Sequence, residues 1–379
     1  MRIRIEQAAL HKALNRVSGV IERRNTVPIL GYVLIEADGE VATLSGTDLD
    51  MMTVANVAAQ VERGGIVAAP AALLSDIVRN APAGAEIVLQ LDPAEGSRLK
   101  VRFGRSTYQL GVLDADQFPR RNDPSWPSSM DLDARDLHGI LARAAFAAST
   151  DETRYWLNGT YLHLIGENGV AWLRAAGADT TRVAYAQTRS PDGAPSFPGV
   201  ILPRKTVAEL MKLLDGRVGP VRLDMSTEAV RLNAGDVAIT SKLIEGEYPD
   251  YARPIAASWS IEAEVDRLAL AGAVRRVALI SGEKERGVKL TLAAGVLSVS
   301  VRNLEAGQAA EDIEVDYDGE PLEVGFNARL ILEALDQSGA DRLLLRANGP
   351  REPVVLVPTL DDPEAGLVCS LLSPRVVAG

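Results

Sequence analysis

Histidines, cysteines and paired carboxylates are where catalysis or metal binding would have to begin, and this sequence is sparing with them. Its three histidines, His11, His138 and His163, are too scattered to suggest a metal cluster by spacing. Asp48-Leu49-Asp50, Asp114-Ala115-Asp116 and Asp131-Leu132-Asp133 set two carboxylates one residue apart. Such pairs suit cation ligation or acid–base work, but none extends into a calcium loop. The single cysteine, Cys369, has no histidine near it in sequence and reads as a small apolar residue. No phosphate loop ending in Gly-Lys-Ser/Thr, no dinucleotide fingerprint after a strand and no Gly-x-Ser-x-Gly elbow occurs. The residues therefore favour a binding protein over an enzyme, with no cofactor and no metal expected.

Arginine and lysine offer another kind of chemistry, the contact with phosphates. The chain carries 40 Lys and Arg against 51 Asp and Glu, a formal charge of −11. That average speaks against wholesale nucleic-acid binding but leaves room for basic residues gathered on one face. Arg16, Arg23, Arg24, Arg79, Arg143, Arg204, Lys205, Lys212 and Arg276 lie on or beside recurring helical stretches. Gathered together, they would hold phosphates without reading bases, and binding would be salt-dependent and sequence-independent. Ordinary solvated helix faces would carry the same residues.

The elements that position these residues are repeated. Leu10, Leu137 and Leu270 each open an amphipathic stretch with an apolar residue four places on and an arginine two places further. The copies stand roughly 130 residues apart, a whole-domain period. A second helix recurs in step, at Ala71, at Arg204 and at Ala328, each after a strand-like run. Between them, residues 2–5, 41–48, 86–91, 98–103 and 106–110 of the first copy read as strands, and 26–36 as a turn into a strand. A chain of 379 residues suits three such units. The expected fold is α+β: three tandem domains, each with two helices packed on antiparallel sheets. A Pro-, Ser- and charge-rich stretch at 118–129 reads as an exposed linker, and boundaries fall at 1–125, 126–254 and 255–379. No apolar run reaches the roughly 18–20 residues of a membrane span, and no signal-peptide core follows the opening strand. One cysteine suits a reducing cytosol, so a cytoplasmic location is expected.

Several motifs together resemble one family. They are Thr26-Val27-Pro28-Ile29-Leu30-Gly31, Gly46-Thr47-Asp48-Leu49, Arg154-Tyr155-Trp156-Leu157-Asn158-Gly159, Leu202-Pro203-Arg204-Lys205, Thr240 to Tyr251, Ser281 to Val288, and Val324-Gly325-Phe326-Asn327. In this order they resemble the bacterial DNA polymerase III β subunits, the replicative sliding clamps. The resemblance implies an arc-shaped monomer that closes head to tail as a homodimeric ring around double-stranded DNA. Such a ring is placed by an ATP-driven clamp loader, tethers DNA polymerases and other proteins with short clamp-binding motifs, and has no membrane partner. By position, it implies DNA contacts from Arg24, Arg79, Tyr155, Trp156, Arg204 and Lys205. The adjacent Tyr155 and Trp156 would equally suit half-buried strand packing. At the ring closure, Tyr108 and Leu110 would meet Leu279 and Ile280 of another copy.

The family's partner cleft implies roles for Leu157, Arg182, Val183, Pro249 and Arg253. Two parts depart from the family pattern. Where the family has Thr-Asp-Gly-His-Arg-Leu, this chain has Ala178-Asp179-Thr180-Thr181-Arg182-Val183. The usual Met-Pro-Met-Arg ending is also missing; ungapped alignment puts Val368, Ser370 and Leu372 at the cleft, whereas a two-residue shift uses Pro374-Arg375-Val376. Two readings follow: a working processivity clamp, or a specialised clamp paralogue with altered partners or resistance to a cleft-binding ligand.

Overall fold

Each of the three long helices that open a repeat begins beneath an acid. Glu6 precedes α1 (Gln7–Ser18) and accepts the Ala9 N–H at 2.8 Å. Asp133 precedes α3 (Ala134–Ala145) and accepts the Arg135 N–H at 2.9 Å. Asp266 precedes α5 (Arg267–Val277) and accepts the Ala269 N–H at 2.7 Å. A side-chain acceptor at this place satisfies a helix N–H that has no partner within the helix. The second helices of the repeats are α2 (Ala71–Arg79), α4 (Arg204–Leu214) and α6 (Ala328–Gln337). Their apolar residues fall three and four apart, so one stripe turns inward: Leu10, Ala13, Leu14 and Val17 on α1, and Leu74, Ile77 and Val78 on α2 are buried.

The computed structural model describes every residue except 23–25, 92–97, 122–123, 168, 192, 254, 256–257, 282–286, 360–367 and 373–379, and describes 368–372 by backbone alone. The chain folds into two compact units that do not follow the three repeats. Unit 1 holds Met1–Arg135, Gly193–Pro195 and Ala208–Leu243; unit 2 holds Asp136–Asp192, Ser196–Val207 and Ile244–Gly379. The middle third of the sequence contributes to both.

Continuous antiparallel sheets explain that division. In unit 1 an eight-stranded sheet takes four strands from the first repeat and four from the second. Its seam is the pairing of Met51–Ala58 with Val237–Lys242, in register from Ser241↔Met51 to Val237↔Ala55. In unit 2 a second eight-stranded sheet has its seam between Arg182–Arg189 and Val368–Leu372, from Arg182↔Leu372 to Ala186↔Val368. A five-stranded sheet completes unit 1 and a four-stranded sheet completes unit 2.

The helices lie very close to these sheets. A Cβ on Gly46 would stand 2.7 Å from the Val17 carbonyl oxygen, and one on Gly177 would collide with the Ala144 carbonyl. The same glycine at the same place in two repeats lets the end of the first helix rest on a strand backbone. In the third repeat Leu270, Val274 and Val277 of α5 and Ile331 and Leu335 of α6 meet Leu290, Leu297, Val299 and Phe326 in one buried cluster. The stretch 118–129 is less exposed than its composition implies. Phe118 is buried with Ile29, Leu30 and Leu34, and the Arg231 guanidinium lies 4.7 Å above the Trp126 ring.

Candidate functional site

In unit 2 the short 3-10 turn Glu152–Leu157 starts at Asp151, whose carboxylate accepts the Thr153 N–H and hydroxyl. It delivers Leu157 into an apolar cluster with Ala178, Val183, Tyr185, Ile201, Tyr248, Tyr251, Val355 and Val357. Trp156 packs against that cluster, while Tyr155 is 53% exposed; the rings meet edge-on at 5.1 Å. Both lie on a 3-10 turn and not on a strand, with Trp156 half-buried and Tyr155 exposed.

The hairpin turn beside Leu157 is held by Asp179. Its carboxylate accepts the Thr181 N–H at 2.7 Å, the Thr181 hydroxyl at 2.7 Å and the Arg182 N–H at 2.9 Å. Thr180 is exposed, and among the described residues only Leu49 combines a side chain with positive φ. The threonine where the family has glycine is therefore unstrained. Arg182 is buried; its guanidinium meets Glu333 of α6, donates to the Phe146 carbonyl at 2.7 Å and lies 5.1 Å from the Phe146 ring.

Pro249 and Arg253 are exposed on a loop fastened by its tyrosines. Tyr248 stacks on Tyr161 at 4.9 Å, and Tyr251 meets the His163 Nε2 at 2.8 Å. Arg174, 3% exposed, donates to Gln187 at 2.7 Å and to Glu167 at 2.7 Å, and sits 4.4 Å over the Tyr185 ring. Burial holds His163 below its ordinary value, against an opposing bond to the Leu164 carbonyl. Burial also pushes the Tyr248 hydroxyl up, so both side chains are neutral near pH 7. Neutral His163 suits its neighbours: Nδ1–H donates to the Leu164 oxygen at 3.3 Å, and Nε2 accepts the Tyr251 O–H.

Leu157, Thr180, Thr181, Arg182, Val183, Pro249 and Arg253 are thus brought into one region of unit 2, although Thr181 spends its hydroxyl within the turn. Val368, Ser370 and Leu372 lie on the strand paired with Arg182–Arg189, with Ser370 opposite both Ala184 and Leu356. The alternative alignment through residues 374–376 falls outside the described residues. Sequence reasoning missed Tyr161, Tyr185, Val355 and Val357. The continuous apolar run Val354–Pro358 and the tyrosine spacing were the available signals.

Among the expected DNA contacts, Arg204 and Lys205 open α4 beside the aromatic pair. The Arg204 N–H reaches the Asn158 carbonyl at 3.3 Å, and its guanidinium reaches the Ser149 carbonyl at 3.0 Å. Arg79 ends α2 of unit 1, exposed and ion-paired with Asp76 at 2.8 Å. Arg24 lies outside the described residues. Other helix cations are also engaged: Lys212 with Glu209 at 2.6 Å, and Arg276 with Glu311 at 2.8 Å. Tyr108 is 40% exposed on Ser106–Gly111, one of the two outer strands of the five-stranded sheet, but Leu110 is buried in its own core. Leu279 is 83% exposed and Ile280 half-buried. No group of three or more metal-ligating side chains forms among the described residues. No helix there is long and apolar enough to cross a membrane.

Known proteins share this arrangement along the whole chain. Models of the DNA polymerase III beta subunit match it in three consecutive stretches: the N-terminal domain over residues 1–122, the central domain over 131–250 and the C-terminal domain over 255–369. The beta sliding clamp of Caulobacter vibrioides (strain NA1000 / CB15N) is 43% identical over 361 residues, 95% of this chain and 97% of that protein. The beta sliding clamp of Escherichia coli (strain K12) is 36% identical over 339 residues, 89% of this chain and 90% of that protein. The solved DNA polymerase sliding clamp from Caulobacter crescentus is similar with a TM-score of 0.92 and 42% identity, covering 100% of both chains. A sliding clamp from Bartonella birtlesii, bound to griselimycin, has a TM-score of 0.94 and 37% identity, again over 100% of both chains. With three domains matched in order and relatives aligned nearly end to end, the chain belongs to the DNA polymerase III β-subunit family, the bacterial β sliding clamps.

Proposed function

We propose that the chain is a processivity clamp: two copies close head to tail around duplex DNA and tether a polymerase, catalysing nothing themselves. The observation that carries this reading is likeness to sliding clamps over the full length of both chains. A ring holds DNA by topology, so it needs neither tight nor sequence-specific binding. Tyr155, Arg204 and Lys205 of unit 2, with Arg79 and Arg24, would face the phosphates. A clamp loader and polymerases carrying short peptide motifs would be its partners in the cytoplasm. Leu157, Val183, Pro249 and Arg253, with the strand Val368–Leu372, would form the cleft in which an aromatic or leucine anchor docks.

Two open sheet edges support the ring closure. Ser106–Gly111 is an outer strand, with Arg98, Lys100, Arg102 and Arg105 on its own hairpin; Gly307–Glu314 is another, with Glu305, Glu311, Asp312 and Glu314. Unpaired main-chain groups of opposite-charged edges can continue one sheet into the next copy. Tyr108, Leu279 and Ile280 would fill that joint, and Leu110 would back it from within its own core. The unstrained Thr180 gives the specialised paralogue no added support.

Loading onto a nicked plasmid with clamp loader and ATP tests the proposal. Light scattering should first give about twice the 40.4 kDa chain mass. The loaded protein should stay on the circle in about 0.5 M salt, where surface ion pairs are screened, and leave when the plasmid is linearised. Release from the intact circle would overturn the topological reading.

A further inference from the structure

Leu49, at the turn between two strands of unit 1, combines two unfavourable features: a left-handed backbone, φ 81°, and a side chain that is 52% exposed. The surroundings impose them. The Asp48 carboxylate accepts the N–H groups of Asp50 and Met51 at 3.1 and 2.7 Å. The Thr47 hydroxyl accepts the Leu49 N–H at 3.0 Å and donates to the Met51 carbonyl at 2.8 Å. Lys242 grips Asp50 twice, through its ammonium on the carboxylate at 2.8 Å and its N–H on the carbonyl at 2.9 Å. Strain that is over-determined in this way points to a function.

The turn borders a cavity of about 200 Å³. Leu49, Met51, Met52 and Pro119 give it an apolar wall, and methionine thioethers adapt to ligands of varied shape. Arg120, Arg121 and Lys242 supply three cations, and no carboxylate is among the lining residues. Two of these cations already pair with carboxylates outside the lining, Arg120 with Glu36 at 3.1 Å and Lys242 with Asp50 at 2.8 Å, both exposed to solvent. The carboxylate-to-N–H pattern recurs in unit 2, where Asp179 accepts the N–H groups of Thr181 and Arg182 beside Leu157 and Val183, but without a left-handed residue: Leu49 alone among the described non-glycine residues has positive φ.

We propose that this cavity is a second docking site, which takes an extended acidic segment of a partner protein with one leucine or phenylalanine anchor. The volume is smaller than the roughly 300–1,000 Å³ of drug-sized ligand sites and suits a single anchor. The cationic rim selects acidic flanks by charge complementarity. The inference rests on reading the chain as a recruiter of peptides, but it places this event in unit 1, apart from the unit 2 cleft.

The chain has six methionines, two of them in the cavity wall, so methyl NMR of the full-length protein with carbon-13-labelled methionine can read the site directly. On titration with the peptide Asp-Glu-Leu-Phe-Asp-Glu, the Met51 and Met52 signals should shift saturably and the other methionine signals should hold. Leu49→Gly removes the anchor's neighbour and relieves the backbone, so it should weaken those shifts about tenfold without lowering Tm. Val183→Asp, which damages the unit 2 cleft, should leave them intact; their loss in that variant would assign the binding to the other cleft. Unmoved Met51 and Met52 signals, equal shifts with Lys-Lys-Leu-Phe-Lys-Lys, or full shifts in Leu49→Gly would each overturn the proposal.

Discussion

Arg182 reaches from the turn after Ala178 to Glu333 on α6, and this ion pair joins a side chain only 9% exposed to one 36% exposed. Removing Glu333 leaves a buried cation with Asp179 at 3.3 Å as its remaining carboxylate. Breaking a fully buried pair costs about 3–5 kcal/mol. Because Glu333 is partly hydrated and Asp179 remains, Glu333→Ala should cost about 2–3 kcal/mol in urea unfolding. A loss below about 0.5 kcal/mol would show that the pair adds nothing to stability.

Two glycine-to-alanine exchanges should move stability in opposite directions. In Gly177→Ala the new methyl meets the Ala144 carbonyl and the Ala148 nitrogen, so the helix must retreat from its sheet. Such overpacking against backbone should cost about 1–3 kcal/mol. Gly139 sits inside α3 with open space where a Cβ would go. Alanine there should stabilise by about 0.5–1 kcal/mol. Thermal unfolding of both variants checks the pair of signs.

Acidification should weaken unit 2 through His163. Its folded-state pKa lies below the ordinary 6.5, so the unfolded chain binds the proton more readily. The stabilisation is fully present above 6.5 and is lost as pH falls from there toward the lowered folded value. The urea midpoint should therefore drop below pH 6.5. A His163→Gln variant should flatten that part of the profile, and parallel profiles would refute the assignment. NMR titration of the ring gives the pKa itself.

The cleft should fail when its apolar floor is charged. Val183 is 8% exposed beside Leu157 and Val355, and Val183→Asp should weaken a fluorescent Gln-Leu-x-Leu-Phe peptide at least about tenfold, or about 1.4 kcal/mol. Thr180→Gly should change affinity little, since Thr180 already holds an ordinary backbone conformation. A large gain from glycine would revive the reading of an impaired cleft.

Helices were legible because a three-to-four apolar spacing is a local signal. The amphipathic stretch marked by Leu10 lies in Gln7–Ser18, and the second helix expected at Ala71 runs Ala71–Arg79. The strand Met51–Ala58 escaped notice, and so did its pairing with Val237–Lys242. Partners nearly 190 residues apart leave no local trace. Composition described 118–129 as polar but could not show that Phe118 and Trp126 pin it down. For the site, the motif residues around Leu157 and Arg182 were readable, whereas the network of Arg174, His163 and Tyr251 was not. Nor does sequence reveal which helix cations already hold carboxylates, as Arg79, Lys212 and Arg276 do.

The seams at Val237–Lys242 and Val368–Leu372 are made of main-chain hydrogen bonds, and those bonds are indifferent to side-chain identity. Three repeated domains can therefore differ in sequence and still keep the same kind of junction. The same property forbids modular dissection. A gene fragment ending near residue 125 would leave Met51–Ala58 with one flank bare, a template for aggregation. The repeats are units of sequence, and the seams bind them into shared sheets.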